Sequence, residues 1–439
     1  MRSFFVLLFF TISFSCFSQK AESNARPKNL SDSALLDLVQ KQTFRYFWDF
    51  AHPVSNLARE RSNTSFSYGH EVVTTGGTGF GIMSVIVATN RNWISRDTAA
   101  KFLLKMVNFL MKADAYHGVF PHWLDGATGK TIPFSRKDDG ADLVETSYLF
   151  QGLLCARQYF NGDNKTEREL RARIGWLWND IEWNWFTKGG EEVLYWHWSP
   201  NNGWAMNFPV RGFNECLIMY VLAASSERYP VSPAVYHRGW AESSFFKNGK
   251  EFYGIKLPLG FDYGGPLFFS HYSFLGLDPR GLKDRYANYW EQNKNHTLIN
   301  REHCIRNPNK YKGYSAECWG LTASDTYNGY AAHSPTEDLG TITPTAALSA
   351  FPYTPEYSMQ ALKHFYNDHG DKIWSKYGFV DAFNETKGWV ADSHLAIDQG
   401  PIIVMIENYR TGLIWDLFMS CPEIQNGLKK LGFESPAIK

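Results

Sequence analysis

The chain has 439 residues, of which 44% are hydrophobic and 20% are charged, with 44 basic and 44 acidic side chains. A formal net charge of zero argues against nucleic acid and against an anionic membrane surface as the main partner. Aromatic residues make up 16% of the chain. This is more than packing alone usually requires, and it suits clefts whose rings stack on the faces of sugars.

The N-terminus has the pattern of a secretory signal peptide. Arg2 precedes an apolar run at residues 4–14, and Cys16 to Ser18 offer small residues at a cleavage site before Gln19. We therefore predict a signal peptide at residues 1–18, a polar tether at 19–30 and a single catalytic domain at 31–439, in a secreted or periplasmic protein. A lipid anchor at Cys16 is the less favoured alternative, and no run predicts a membrane span.

The later cysteines are odd in number and widely spaced, without a CxxC pair; they are Cys155, Cys216, Cys304, Cys318 and Cys421. This spacing predicts neither a disulfide framework nor a zinc site. We expect Cys155 and Cys216, which stand in apolar stretches, to be small core residues.

Hydrophobic periodicity predicts helices, very apolar ones alternating with amphipathic ones. In chain order they cover residues 31–52, 79–89, 95–116, 141–160, 166–183, 212–225, 232–242, 283–306, 345–351, 355–369, 401–407, 411–419 and 423–431. Short strand-like pieces stand at 115–123 and 192–197. The pattern predicts an all-α toroid, with an inner apolar ring inside an outer amphipathic ring. The long loops 117–140, 184–211, 244–282 and 307–344 would form the walls of a cleft.

The segment 137–153 carries four carboxylates within eight positions, Asp138, Asp139, Asp142 and Glu145, and then turns apolar at helical spacing. With a helix opening at Ala141, Asp142 and Glu145 would share one face of its first turn. Capping of the helix would explain one or two of these acids. A hydrolase that needs an acid, a base and hydroxyl acceptors in one cavity would explain all four.

Glu215 is a second candidate, because a carboxylate on an apolar helix is costly to bury without a partner. If it faces a cavity, burial would raise its pKa and suit it to be a general acid. A salt bridge to Arg211, four residues earlier, is an equally favoured alternative. A third candidate is Asp398, before a Gly-Pro helix start where capping is the alternative. Glu407 and Arg410 are expected to pair with each other.

Histidines and aromatic residues of the loops are candidate substrate contacts. With Asp139 they are His117, His122, Trp123, Trp204, His271 and Tyr272. The histidines lack metal-site spacing, so neither a metal nor another cofactor is predicted. The glycine-rich stretch 75–81 lacks the Lys-Ser/Thr ending of a phosphate loop, and we interpret it as tight helix packing or a pocket floor.

Three motifs together resemble the bacterial β-1,2-glucanases of glycoside hydrolase family 144, which carry a glucoamylase-like domain. They are the segment from Asp138 to Ser147, the segment from Gly212 to Glu215, and Ile397-Asp-Gln-Gly-Pro followed by Ile406-Glu-Asn-Tyr-Arg-Thr-Gly. The motifs occur in the family's order, and the resemblance covers the chain after the tether. It implies an (α/α)6 barrel with an acidic cavity and hydrolysis of β-1,2-linked glucose with inversion of the anomeric centre.

The resemblance also implies roles for the acids. Glu215 matches the glutamate that acts as the acid in the centre of the cavity, Asp138, Asp142 and Glu145 match the acidic group beside it, and Asp398 matches a further acidic position. Inversion needs two carboxyl groups roughly 6.5–9.5 Å apart, so that a water fits between them and the sugar. Carboxylates from different helices suit this better than two on one turn. Asp138, near a helix N-terminus, is expected to stay ionised.

The predicted function is therefore hydrolysis of β-1,2-glucan to sophorose or short oligosaccharides. The same fold also serves glucosidases and transglycosylases of other linkages and polysaccharide lyases, although an acidic site would repel the uronic acids of a lyase substrate. A non-catalytic glycan-binding lipoprotein is a third alternative, and it requires lipid on Cys16. Endo or exo action depends on whether the loop 244–282 or 307–344 closes one end of the cleft. The oligomeric state is left open.

Overall fold

The computed structural model describes residues 26–64 and 69–439, and helices dominate it. The predicted signal peptide, Cys16 and the tether up to residue 25 lie outside this part. None of the helices in the described part is long and apolar enough to cross a membrane.

The described part contains fourteen α-helices. They are α1 (Asp32–Trp48), α2 (Thr75–Asn90), α3 (Arg96–Leu110), α4 (Leu143–Tyr159), α5 (Lys165–Asp180), α6 (Leu217–Ser225), α7 (Pro233–Tyr236), α8 (Tyr289–Arg306), α9 (Pro344–Leu348), α10 (Pro355–Asn367), α11 (Gly370–Ile373), α12 (Ala396–Arg410), α13 (Leu413–Met419) and α14 (Pro422–Lys430).

The strands are short and lie between the helices. They are β1 (Val72–Thr74), β2 (Trp123–Asp125), β3 (Thr131–Ile132), β4 (Ala141–Asp142), β5 (His197–Trp198), β6 (Glu251–Phe252), β7 (Ile255–Lys256), β8 (Ala323–Thr326), β9 (Gly329–Ala332), β10 (Trp374–Ser375), β11 (Gly378–Phe379), β12 (Phe383–Asn384) and β13 (Trp389–Val390). β1, β2 and β3 form an antiparallel sheet, with Val73 opposite Leu124 and Trp123 opposite Ile132. The others form antiparallel pairs.

The helices form two layers. α2, α4, α6 and α12 are buried on nearly all sides. α2 packs against α4 and α12, α4 also packs against α6, and α12 packs against α9. The short 3₁₀ segment Ser273–Leu275 contacts both α6 and α12. Around this inner ring, α1, α3, α5, α10 and α14 bury one face each. This arrangement confirms the predicted toroid of apolar inner and amphipathic outer helices.

The contact between α2 and α4 depends on glycine. A Cβ atom on Gly79 would lie 2.1 Å from the carbonyl oxygen of Tyr148, and one on Gly152 would lie 2.2 Å from the carbonyl oxygen of Gly79. The two backbones therefore approach more closely than any side chain would allow. The glycine-rich stretch is a packing surface, as interpreted from the sequence.

Several predicted helices begin elsewhere, among them those expected from residues 79 and 283, which begin at Thr75 and Tyr289. The helix expected from residue 212 begins at Leu217, because Gly212 has φ +77° and the chain turns there. The helix expected from residue 401 begins at Ala396 and runs through Pro401. The close crossing of α12 on α2 holds this early turn: a Cβ on Gly400 would lie 2.4 Å from the Cβ of Phe80.

The expected pair of Glu407 with Arg410 is wrong. Nε of Arg91 donates to Glu407 at 2.6 Å, and Nη1 of Arg410 donates to Asp37 at 2.6 Å. The two side chains point to partners on other helices, which sequence spacing does not reveal.

The strand-like pieces are also shifted. The pieces expected at 115–123 and 192–197 form strands only at their ends, where β2 begins at Trp123 and β5 begins at His197. β2 forms where it pairs with β1, and β5 forms where it pairs with β4. Cys155 and Cys216 are fully buried free thiols, which confirms their prediction as core residues.

We predict that Gly79→Ala lowers the free energy of unfolding by about 1–3 kcal/mol, because the added methyl group forces α2 away from α4. Urea unfolding followed by tryptophan fluorescence measures this. Gly175→Ala is the matched control, since a Cβ on Gly175 of α5 meets nothing within 4 Å. Because alanine has a higher helix propensity than glycine, this control should leave the free energy of unfolding unchanged or raise it by up to about 1 kcal/mol. Equal effects of the two substitutions would contradict the packing argument.

Candidate active site

A cavity of about 420 Å³ lies where four inner helices begin. Thr74 precedes α2, Glu145 is in the first turn of α4, Glu215 precedes α6 and Ile397 is in the first turn of α12. Free N–H groups and the positive ends of the helix dipoles therefore point toward this region and favour negative charge there. The other lining residues are Glu60, Arg61, His122, Trp123, Phe134, Tyr148, Trp196, Phe268, Tyr272, Ala323, Tyr330 and Leu395.

Asp142 is fully buried at the start of α4 and caps the helix. Its Oδ1 atom accepts hydrogen bonds from the N–H groups of Val144 and Glu145 at 3.0 and 2.9 Å and from Nε1 of Trp196 at 2.9 Å. Its Oδ2 atom lies 2.8 Å from Nδ1 of His122. Burial alone would raise the pKa of Asp142, but the hydrogen bond and charge of His122 lower it. Asp142, predicted as catalytic, therefore holds the first turn of α4, Trp196 and His122 in place.

His122 stands directly before β2 and faces the cavity. Burial would lower its pKa, but the negative charges of Glu145, Asp142 and Asp138 raise it to about 9. The ring therefore carries two N–H groups at neutral pH, and it stacks beside Phe134 with the ring centroids 4.1 Å apart. Because Asp142 occupies Nδ1, the other nitrogen is the one left for a ligand.

Asp138 and Glu145 are buried beside this histidine. Nε2 of His197 lies 3.3 Å from Asp138, whose pKa is raised to about 7 by burial and by the charge of Asp142. The expectation that Asp138 stays fully ionised is therefore not met, since desolvation outweighs the helix end. Oε2 of Glu145 accepts from the N–H of Gly76 at 2.9 Å, and burial raises its pKa to about 6.

Asp139 turns away from the cavity. It accepts hydrogen bonds from the hydroxyl of Ser199 and from the amide groups of Asn201 and Asn202. These donors lower its pKa in spite of some burial. Asp139, which was predicted to contact substrate, therefore stabilises the 199–203 turn through these hydrogen bonds.

Glu215 lies in the turn before α6, not on the helix as expected. Its carbonyl oxygen accepts from the hydroxyl of Ser273, which also accepts from the N–H of Ile218 at 3.0 Å. The alternative salt bridge to Arg211 does not form, because Nη1 of Arg211 donates to the carbonyl oxygen of Gly239 at 3.1 Å. The spacing of four residues brings two side chains together only within a helix.

The carboxyl group of Glu215 reaches the cavity without a donor for one of its oxygens. The side chain is 8% exposed, and Oε2 has no hydrogen-bond partner in the described part of the chain. Burial, with the charges of Glu145 and Asp142, raises its pKa to about 7. Glu215 is therefore protonated in a large fraction of molecules at neutral pH, as a proton donor requires.

A second acidic group surrounds Asp398 on α12. Asp398 and Asp381 are both 2% exposed, and one oxygen of each has no donor in the described part of the chain. The two carboxyl groups influence each other's pKa, and two neighbouring buried carboxyl groups cannot both be ionised, so one of them carries a proton. Burial and the charge of Asp381 raise the pKa of Asp398 strongly, so Asp398 holds that proton. The hydroxyl of Tyr272 lies 3.5 Å from its other oxygen. Asp398 thus belongs to a pair that shares one proton, and the alternative interpretation as a helix cap does not hold, because Asp398 lies inside the first turn of α12.

The pair is anchored to a salt bridge at the cavity wall. The N–H of Asp325 donates to Asp381 at 2.6 Å, and Arg61 donates to Asp325 at 2.9 Å. Arg61 also donates to Glu60 at 2.8 Å. Burial raises the pKa of Asp381 to about 7, with the charge of Asp325 acting in the same direction. A chain of bonded charged groups thus runs from the cavity lining to Asp398.

Apart from Asp139, the predicted contact residues lie in three places. The cavity is lined by His122, Trp123 and Tyr272. His271 is buried beside the ring of Tyr353, and burial lowers its pKa to about 3. Trp204 lines a separate depression together with Trp185, and His117 stacks on Trp185 with the centroids 3.8 Å apart. His117 and Trp204 therefore do not belong to the cavity.

Several cavity residues were not predicted. They are Glu60, Arg61, Tyr148, Trp196, Phe268, Tyr330 and, behind the lining, Asp325 and Asp381. Aromatic density around residue 268 was a usable signal. Glu60 and Arg61 belong to the charged run 59–61, and Asp325 lies on β8, but no recognisable motif surrounds them or Asp381.

One nitrogen of His122 and carboxylate oxygens of Asp138 and Asp142 lie within 4.8 Å of one another, a spacing that would suit a metal ion. However, Oδ2 of Asp142 lies 2.8 Å from Nδ1 of His122, and the raised pKa of His122 favours a proton on the ring. The geometry favours a protonated histidine between carboxylates.

The chain as a whole is similar to carbohydrate hydrolases. Residues 207–422 match the family model Glycoamylase, described as "Putative glucoamylase". A Bacteroides uniformis crystal structure with the same description is 62% identical, with a TM-score of 0.92, and the alignment covers 94% of this chain and all of that one. The endo-β-1,2-glucanase of Chitinophaga pinensis, in complex with sophorotriose and glucose, is 58% identical, with a TM-score of 0.91 over 93% of this chain and all of the enzyme.

A curated relative is the exo β-1,2-glucooligosaccharide sophorohydrolase (non-reducing end) of Parabacteroides distasonis. It is 45% identical over 94% of this chain, and the chain spans 60% of the length of that relative.

We predict that Asp142→Asn lowers the pKa of His122 clearly below about 9, since a buried cation loses its bonded counter-charge. Proton NMR titration of selectively labelled histidine rings measures this. Asp139→Asn is the matched control, because Asp139 bonds to the 199–203 turn and should leave His122 unchanged. Equal pKa values of His122 in the two variants would show that Asp142 does not hold the charge.

Proposed function

Because this chain belongs to the bacterial β-1,2-glucanases of glycoside hydrolase family 144, and shares their glucoamylase-like (α/α)6 barrel, we propose that it hydrolyses β-1,2-linked glucan. The predicted products are sophorose or short β-1,2-gluco-oligosaccharides. The observation that carries the proposal is the carboxyl group of Glu215, which faces the cavity, lacks a donor at Oε2 and is half protonated near neutral pH.

In the proposed reaction, Glu215 donates its proton to the glycosidic oxygen as the bond to the anomeric carbon breaks. Water attacks the opposite face of the ring, and a carboxylate on another wall accepts its proton. Two groups stand there for this role: Glu145 in the first turn of α4, and the Asp381–Asp398 pair below Tyr272. Asp142 holds His122 in place, and His122 acts as a hydroxyl donor.

The lining also fits a neutral sugar. The rings of Trp123, Trp196, Phe268 and Tyr272 supply apolar faces for C–H groups. The charged side chain of Arg61 is compensated by Glu60 and Asp325. A cavity with paired charges and several rings favours uncharged pyranose units over the uronic acids of a lyase substrate.

We further propose that the protein acts outside the cytoplasm. The support is the positive residue and apolar run of the first 18 positions, which carry the pattern of an export signal.

We predict that Glu215→Gln lowers kcat on β-1,2-glucan by at least about 100-fold, because the amide has no proton to donate. Reducing-end release is measured, and proton NMR of the first products should show the α-anomer from the β-linkage. Glu192→Gln is the control, since Glu192 pairs with Arg238 on the surface. Tight glucan binding by the unmodified protein without any product would instead support a binding protein.

We predict that kcat/KM falls as the pH rises above about 7, since the active form of Glu215 is the protonated one and its pKa is about 7. With β-sophorosyl fluoride, whose leaving group needs no proton, this alkaline limb should disappear while any acidic limb from the base remains. An identical alkaline limb on both substrates would assign that limb to another group.

A further inference from the structure

The cavity continues into a groove of about 850 Å³, and Trp196, Glu215 and Phe268 line both. The catalytic candidate Glu215 therefore stands at the junction between the cavity and the groove. One end of the groove contains Phe245, at 65% the most exposed large apolar side chain of the described chain, and Phe261, at 42% exposure. Exposed rings that cluster at a groove call for an explanation.

A continuous series of rings leads from the cavity to this end of the groove. Tyr272 stacks on Phe268 with centroids 4.9 Å apart, and Phe268 contacts Phe269 at 4.8 Å. Phe269 lies 6.4 Å from Phe261, which in turn stacks on Phe245 at 5.3 Å and an interplanar angle of 26°. The series begins at the buried Asp398 partner Tyr272 and ends in solvent, so packing of the core does not require its outer members.

The backbone of Phe245 is strained. Its φ of +65° lies in the left-handed region, which bulky side chains avoid. Such strain persists only where the surroundings impose it, and it clusters at ligand-binding positions. Phe245 therefore carries two free-energy costs, one for its left-handed backbone conformation and one for the exposure of its ring to water. A role in ligand binding would explain why both costs are tolerated.

The turn that carries Phe245 is tied to the turn that carries Glu215. The N–H of Gly212 donates to the hydroxyl of Ser243 at 2.8 Å, and the N–H of Phe213 donates to the carbonyl oxygen of Phe245 at 3.3 Å. The outer ring is thus placed at a set position relative to the proton donor. A ligand that contacts both the ring of Phe245 and Glu215 would therefore be held in a fixed position relative to the proton donor.

The polar groups of the groove suit a neutral ligand. Lys250 pairs with Asp262 at 2.9 Å, and Asn248 donates to the carbonyl oxygen of Gly260 at 3.0 Å. The remaining charges, on Arg211, Lys247 and Glu337, are of mixed sign. Rings flanked by amides and paired charges fit a polyhydroxylated, uncharged chain.

We propose that Phe245 and Phe261 form an aromatic platform that binds glucose units of the same glucan chain beyond the cavity, so that the protein favours long chains over short ones. The proposal rests on the proposed hydrolysis of β-1,2-glucan and adds the determinant of chain length. The rings contact the apolar faces of pyranose units that extend out of the cavity past Glu215, and they take no part in the chemistry.

The test compares long β-1,2-glucan with the shortest oligosaccharide that the protein hydrolyses. Phe245→Gly removes the ring and leaves a residue that accepts φ +65° without strain, and Phe261→Ala removes the second ring. We expect each variant to raise KM for the long glucan about threefold to tenfold, the scale of one aromatic contact, with kcat unchanged. KM for the shortest substrate and the melting temperature should not change.

Trp176→Ala is the matched control, because Trp176 is 57% exposed on α5 and lines none of the described cavities. It should alter neither substrate. Equal changes of KM on both substrates, or no change on the long glucan, would overturn the platform. A melting temperature lowered together with kcat would assign the rings a structural role. If the unmodified protein hydrolyses neither substrate, the proposed function fails, which is a distinguishable result.

Discussion

The hydrogen bonds of one buried carboxylate, Asp142, hold the catalytic region together. Its two oxygens accept from the first turn of α4, from Trp196 and from His122. The start of an inner helix, a wall of the cavity and the protonated His122 are therefore held in place by a single group. A carboxylate at this depth is stable only because it has donors on every side.

The same principle separates the acids that support the structure from those available for chemistry. Asp142 and Asp139 have many donors, and their pKa values are lowered. One oxygen of Glu215 has no hydrogen-bond donor in the described part of the chain. The carboxyl group of Asp398 has beside it only the carboxyl group of Asp381 and, at 3.5 Å, the hydroxyl of Tyr272. Burial without donors raises a pKa toward neutrality, which is what proton transfer at neutral pH needs. The number of donors, and not the density of negative charge, distinguishes the two roles.

The barrel concentrates this chemistry at one end because its inner helices begin there. Helix starts bring free N–H groups, and the loops before them bring aromatic and charged side chains to the same place. The turn at Gly212 then links the proton donor to the groove, where Phe245 stands in solvent. Recognition of the polymer and position of the reacting bond would therefore depend on one connected piece of backbone.

Much of this protein was determined by local sequence. Alternating apolar and amphipathic periodicity is a property of each helix alone, so it predicted the inner and outer rings, and the cluster at residues 138–145 located one wall of the cavity. Contacts between distant segments decided the rest. Arg211 and Arg410 bind partners distant in sequence, Gly239 and Asp37. Asp139 accepts hydrogen bonds from a neighbouring loop, and Asp381 lies beside Asp398. Periodicity follows from the geometry of one element, whereas the protonation and role of a buried acid follow from which donors the fold brings within hydrogen-bonding distance.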